Sequence, residues 1–397
     1  MPKDAVFGTA AGDAIQAEKA SAFSVELVST TAEMDGLRAD WERLEQLSGA
    51  ASVFQSFSFV RTWTRHFADD ARKRTKLHIV VIRQNGRAVL VLPLVISGPF
   101  ALRIARLCGD PIAQFSDLLL DPGANARAAF AEALASVAAA GADAIILRRV
   151  RADSQMLDVA IPYLRPGTGV DSAPYADLSP YGDYDAYLQS LSKNMRKGLR
   201  NRKHHLGNAG EIAFDLFSGG PEARRALGDA IGFKRKWLIQ RGAISSAFLD
   251  PATKECLLNL AADQDGSGAI VMRMLVNGEP AAIRFGFEYQ GTHFAYMSAY
   301  DESFSQLSPG KMLMSAYLSH FKERGIDRLD MLPPAGRHKS NWCEGETQVA
   351  DYTLPLTAAG RAYATLYQER LRPSLRKAWY KLPDAVRSKA TALFVSI

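Results

Sequence analysis

The chain is short of cysteine, of long apolar runs and of metal-ligand clusters, and each shortage removes a class of protein. Cys108, Cys256 and Cys343 are spread over 397 residues with no C-x-x-C pair. Neither a disulfide framework nor a cysteine zinc site is indicated, and a reducing cytoplasm is the expected setting. No apolar run approaches the length of a membrane-spanning helix. Residues 1–22 carry Asp4, Asp13 and Glu18 among small residues with no sustained apolar core, which reads as a disordered leader rather than a signal peptide. The adjacent His204 and His205 cannot share one face of a helix, so no metal site is expected.

What is present is enough for two cores. A length of 397 residues with 47% hydrophobic content exceeds one ordinary domain. The net charge of +6 is unevenly spread: Lys193–His205 holds six Lys/Arg and no acid, and Arg361–Ile397 also sums to +6, so the rest of the chain is at −6. Two basic segments on an acidic protein attract phosphates, acidic polymers or anionic membrane surfaces, and charge alone does not choose among them.

The hydrophobic pattern runs twice through a similar order. Phe23–Val28 reads as a strand, Met34 to Leu47 and Phe57–Phe67 as helices, and Leu77–Ile82 with Ala88–Ile96 as a hairpin around Asn85-Gly86. A strand at Phe115–Leu120, a helix near Asn125–Ala140 and a strand at Ala144–Val150 follow. Residues 165–183 have the Pro, Gly, Ser and Asp content of a linker. Helices are then expected near Tyr184–Gly207, Pro221–Arg241 and Pro251–Asp263. Alternating strands run from Ala281 to Tyr289 and Phe294 to Tyr300, then a helix 309–324 and a strand Arg328–Leu332. Gly141-Ala142-Asp143 and Gly325-Ile326-Asp327 stand in corresponding places, as an internal duplication would leave them.

The copies differ at the turn into their last long helix. The second has Ser308-Pro309-Gly310-Lys311. Proline at a first helical turn lacks only an N–H that would be unbonded anyway, glycine lets an anion approach the backbone, and the helix N-terminus favours negative charge. The first has Asp121 before Pro122-Gly123 and no basic residue in the turn. An anionic cofactor is therefore expected in the second copy only.

Taken together, Phe54-Gln55-Ser56 with Trp63, Leu92-Pro93-Leu94, Leu191-Ser192-Lys193 with Arg196, Ala299-Tyr300-Asp301, Ser308-Pro309-Gly310, and Lys339 with Trp342 resemble the GNAT acyltransferase superfamily. The resemblance is to its double-domain branch, near cellulose-biosynthesis-associated acetyltransferases and Fem-type peptidyl transferases, and covers residues 23 to 355. The usual R/Q-x-x-G-x-G/A turn is replaced by Gln306-Leu307-Ser308-Pro309-Gly310. The resemblance implies an α/β (α+β) fold of two tandem GNAT-like domains, each a mixed, mostly antiparallel sheet flanked by helices, with a basic C-terminal helical tail. The expected divisions are a leader 1–22, domains 23–170 and 184–356, a linker 171–183 and a tail 357–397.

It also implies transfer of an acyl group, acetyl first, from acyl-coenzyme A to an amine or hydroxyl of a sugar, polysaccharide or envelope precursor, without a metal. Such chemistry needs a path for the acceptor proton, a donor to the oxyanion and an acid for the thiolate. Ser298, Ser308, Gly310, Lys311 and Met312 are the expected cofactor residues, and Tyr300, Asp301 and Lys339 the expected catalytic ones. Plain readings stand beside these: a core tyrosine, an Asp cap and a solvated lysine. Lys193, Arg196, Lys234, Trp237, Arg284 and Trp342 are expected to bind the acceptor, against a solvated basic face and a packed tryptophan. The tail is expected either to lie on an anionic membrane or to pack back on the protein. Nucleic acid is not an expected partner, since the basic run lacks interleaved aromatics. An aminoacyl-tRNA-dependent transferase of the Fem type, or a silent scaffold for an acidic polymer or a synthase complex, are the alternatives.

Overall fold

The computed structural model describes residues 23–49, 52–68, 75–98, 101–240, 250–264 and 266–381. The expected leader and the end of the expected tail lie outside them.

Alternating patterns give strands in both halves. The first half contributes β1 (Phe23–Val28), β2 (Lys76–Gln84), β3 (Arg87–Ser97), β4 (Ile104–Leu107), the short β5 (Leu119–Leu120), β6 (Ala144–Arg151) and β7 (Arg165–Asp177). The second contributes β8 (Ile212–Phe217), β9 (Ala269–Val276), β10 (Glu279–Tyr289), β11 (Thr292–Tyr300), β12 (Arg328–Asp330) and β13 (Gly345–Pro355). Asn85-Gly86, Asn277-Gly278 and Gln290-Gly291 close three hairpins with positive φ at both residues, the backbone that a two-residue turn of this hand requires.

All the strands join one sheet in the order β1-β2-β3-β4-β6-β13-β7-β12-β11-β10-β9-β8, with β5 beside β3. Each half repeats one scheme: an antiparallel run, then a parallel pair, β4 with β6 and β11 with β12. The sixth strand of each scheme is exchanged. Strand β13, from the far end of the chain, lies against β6, whereas β7 lies against β12, and the two pair antiparallel at the centre.

The stretch read as a linker is thus largely strand. Gly167 and Gly169 face Asp351, where the β13 register slips, and a Cβ at either would come within 2.7 and 2.6 Å of Asp351 atoms. Glycine there permits close approach of two backbones, which composition alone cannot distinguish from a flexible connection. The helix expected over Tyr184–Gly207 is two, Tyr184–Ser190 and Lys193–Gly207, because the Ser192 hydroxyl accepts the Met195 N–H and starts a new one. The helix expected to reach residue 324 ends at Leu318, and only Leu119–Leu120 of the expected strand at 115–120 pairs.

The halves share a core. Phe54 packs edge-on against Phe287 and Phe294, and one apolar cluster holds Trp41, Trp63, Leu227, Leu257, Phe285 and Phe287 together. Polar contacts close the same seam: the Tyr289 hydroxyl donates to Glu45 at 2.7 Å and the Tyr296 hydroxyl to the Ile112 carbonyl at 2.9 Å.

Candidate functional site

Strands β11 and β12 pair over only three positions, Thr292 with Arg328, His293 with Leu329 and Phe294 with Asp330. Beyond Phe294, β11 runs on to Tyr300 along β10 alone. The parallel strands therefore part, leaving an edge of β11 without a strand partner beside a slot. At the open end of the slot the chain makes a one-turn helix, Glu302–Leu307, and enters the helix Pro309–Leu318 through Ser308. Ser308 is left-handed, at φ 50° and ψ 51°. A non-glycine residue held there is a local strain of the kind that collects at ligand sites.

No side chain caps this helix, and its first position is Pro309. The point where a Cβ on Gly310 would project has nothing within 4 Å. Lys311 is half-buried, and burial and then the charge of Arg202 hold its ammonium below the usual lysine range. Pro309 has no N–H and the Lys311 N–H donates to the Ser308 carbonyl at 3.0 Å, so the Gly310 amide and the Lys311 charge are what this helix start offers an anion.

Deeper in the slot lies Arg284, on β10 and only 5% exposed. Its Nη1 donates to Ser298 Oγ at 3.1 Å, and its Nη2 lies 3.9 Å from Met331 Sδ. The guanidinium thus bridges the diverging strands, from β11 to the residue that follows β12. Burial pushes its pKa down to about 10. Lys339, on the short helix Arg337–Ser340, donates from Nζ to the Leu332 carbonyl at 2.8 Å. Burial lowers its pKa to about 8, against the opposing pull of Asp330 and Asp171 and with help from Arg149 and Arg284. A lysine at that value is part neutral near physiological pH and suits proton transfer. The charges of Lys339, Lys234, Arg284 and Lys311 also lower His338, after burial, which marks the cations gathered around this cleft.

Of the expected site residues, the slot brings together Ser298, Arg284 and Lys339, with Ser308, Gly310, Lys311 and half-buried Tyr300 at its open end. Met312 has its side chain buried in the core beneath the helix. Lys234 lies 4.4 Å over the Trp237 ring, so that pair is an internal cation–aromatic contact. Lys193 is exposed at its helix start.

Three expectations are corrected or recast. Arg196 has a local role: its Nη1 donates to the carbonyls of Gln189 and Leu191 and braces the preceding turn. Trp342 is 2% exposed in the core, and its carbonyl accepts the Tyr187 hydroxyl. Asp301 is a cap: it accepts the Ser303 N–H at 2.9 Å and hydroxyl at 2.6 Å, and these bonds hold its carboxyl below the usual range. Sequence reasoning missed Arg202 and His338 as neighbours of the site. Arg202 lay within the basic run, but nothing in that run marked which arginine turns towards Lys311.

The first half has a slot of the same kind. Strands β4 and β6 pair from Ile104 with Ala144 to Arg106 with Ile146, and beyond them lies a pocket of about 180 Å³ lined by Arg106, Arg148, Arg149, Arg372, Asp110 and Asp351. Its helix start is closed, however. Asn125 accepts the Ala128 N–H at 3.2 Å, and Asp121 accepts the Gly123 N–H at 2.9 Å while pairing with Arg43 at 3.5 Å.

The tail packs back in part. Tyr363 lies against Ile104, Ala144 and Ile146, and Ala364 and Gln368 are buried, while Leu366, Tyr367 and Leu371 are exposed. Among the described residues no helix is long and apolar enough to cross a membrane, and no three His, Cys, Asp or Glu gather as metal ligands would.

Residues 193–340 match a family model described as Acetyltransferase (GNAT) domain. No curated protein matches in a sequence search. A solved structure described as a tandem GNAT protein from the clavulanic acid biosynthesis pathway is 14% identical with a TM-score of 0.52, covering 84% of this chain and 99% of that one. A crystal structure of FemX is 10% identical with a TM-score of 0.58, covering 87% of this chain and 100% of that one. The fold is the tandem GNAT fold, shared with a Fem-type protein.

Proposed function

We propose that this tandem GNAT fold is an acyl-coenzyme A-dependent transferase whose second half holds the donor, acetyl-coenzyme A first, and passes its acyl group to an amine or hydroxyl of a saccharide or envelope precursor. The observation that carries the reading is the uncapped start of the helix Pro309–Leu318 beside the parted β11 and β12. Gly310 would hold the diphosphate through its main-chain amide, and Lys311, with Arg202 nearby, through charge. The free edge of β11 beyond Phe294 would offer N–H groups to the extended arm of the donor and to the developing oxyanion.

In its neutral form Lys339 would take the acceptor's proton, and Tyr300, at the mouth of the slot, would donate one to the departing thiolate. With Asp301 tied to Ser303, its carboxylate would set the turn rather than act as base. Lys234 and Lys193, on separate helices, would draw an acidic acceptor to the cleft. The protein would work in the cytoplasm, and the exposed Leu366, Tyr367 and Leu371 beside tail arginines would favour contact with an anionic membrane surface.

Isothermal titration of the full chain with acetyl-coenzyme A should give one site per chain, weakened by Gly310→Asp. Absence of binding by a folded protein would remove the reading.

A further inference from the structure

Two partly buried arginines elsewhere among the described residues have acids. Arg151 meets Asp330 and Asp153, each at 2.8 Å, and Arg324 holds both oxygens of Glu288. Arg284 is more deeply buried than either and has none. Among the described residues, no carboxylate comes within ion-pair distance of it. The nearby acids are already used: Asp330 by Arg151, and Glu288, on the same face of β10, by Arg324 and the Tyr317 hydroxyl. A buried charge without a counter-charge costs several kcal/mol, so folding alone gives no reason for an arginine here.

The unmet donors have a direction. Nη1 is spent on Ser298, whereas Nε has no partner and Nη2 has only the Met331 thioether. The Nε–Nη2 edge is the fork that receives a carboxylate through two parallel hydrogen bonds. Ser298, its cross-strand neighbour, is exposed in the parted segment of β11, and Met331 follows β12, so the guanidinium spans the gap between the strands with the Met331 thioether on its Nη2. The thioether over it is unbranched and readily displaced.

We propose that the second-half slot recognises a carboxylate, carried by the acyl chain or by the acceptor, which pairs with the Nε–Nη2 edge of Arg284 after Met331 moves aside. The proposal rests on the donor reading above and narrows its substrates to acids. A dicarboxylic acyl donor and an amino-acid acceptor are the two sources of the same group.

The test uses the full chain with coenzyme A, acetyl-coenzyme A and succinyl-coenzyme A in titrations, and an amino acid against its amide as acceptor in turnover. If the donor brings the carboxylate, succinyl-coenzyme A should bind at least about tenfold tighter than acetyl-coenzyme A, one factor of ten being a modest return for a two-donor ion pair. If the acceptor brings it, the two donors should bind alike and the amide should show a KM raised by a similar factor. In Arg284→Met either preference should vanish while coenzyme A itself binds as before, and the melting temperature should hold or rise, since an apolar isostere relieves an unpaired charge.

Wild-type protein that binds coenzyme A yet distinguishes neither donor pair nor acceptor pair overturns the proposal, whether or not the variant folds. So does an Arg284→Met protein that keeps the preference. Failure of coenzyme A to bind the wild type would instead strike the donor reading.

Discussion

In the first half, the helix Ala126–Ala139 begins beneath Asn125, and Asp121 fills the approach with a carboxylate of the chain's own. In the second, the helix Pro309–Leu318 begins at a strained serine with no side chain over its amides and with Lys311 in its first turn. Strand order around the two is the same. The contrast teaches that a repeated fold need not repeat its details: a carboxylate and a cap cover one helix start while no side chain covers the other. The first slot nonetheless has a polar pocket with four arginines and two aspartates, so the halves differ at the helix start rather than in whether a pocket is present.

This contrast can be attacked where it is strongest. Lys339→Met should lower kcat at least about 100-fold, the lower end of what a positioned general base contributes. Only the neutral amine accepts a proton, so wild-type activity should climb as pH rises through about 8 and level off above it. The variant's profile should be flat there, and an unchanged profile would show that the base lies elsewhere. Gly310→Asp, which gives the second helix start the plug of the first, should weaken coenzyme A by about 100-fold, or about 2.7 kcal/mol, in titration. The mirror variant, Asp121→Ala, should leave the stoichiometry at one per chain, because the Asn125 side chain still caps that helix start.

Smaller effects sharpen the same picture. Lys311→Glu should cost roughly tenfold in affinity, about 1.4 kcal/mol, and lessen the salt dependence of binding. Asn125→Ala should remove about 1 kcal/mol of stability in a denaturant melt, the worth of one cap, with coenzyme A affinity unchanged. Asp301→Ala should resemble it, losing stability through the Ser303 bonds rather than rate.

The repeated order of strands was legible because alternation and Asn-Gly or Gln-Gly turns are local, and those turns close hairpins in the fold. The exchange of β7 and β13 was not, since neither strand carries a sign of its distant partner, and glycines that allow tight pairing look like glycines that allow bending. At the site, Ser308, Gly310 and Lys311 could be read from a short motif whose meaning is local. Arg196 and Arg202 could not be told apart within one basic helix, because two carbonyls of the preceding turn claim the first. Trp342 shared a polar segment with Lys339, yet one is core and the other lines the slot. For Arg284, alternation gave the face correctly, opposite Ile283, Phe285 and Phe287. Its want of a counter-ion emerges only when every nearby acid is located.

The placement of β13 bears on how the protein is made. Residues 345–355 lie between β6 and β7, so a nascent chain holds two open strand edges until that segment leaves the ribosome. Pairing residues 170 to 211 positions apart raises contact order, which slows folding and lengthens exposure to aggregation. Truncation shortly before Gly345 is therefore a lesion of both halves at once, although it removes sequence from only one.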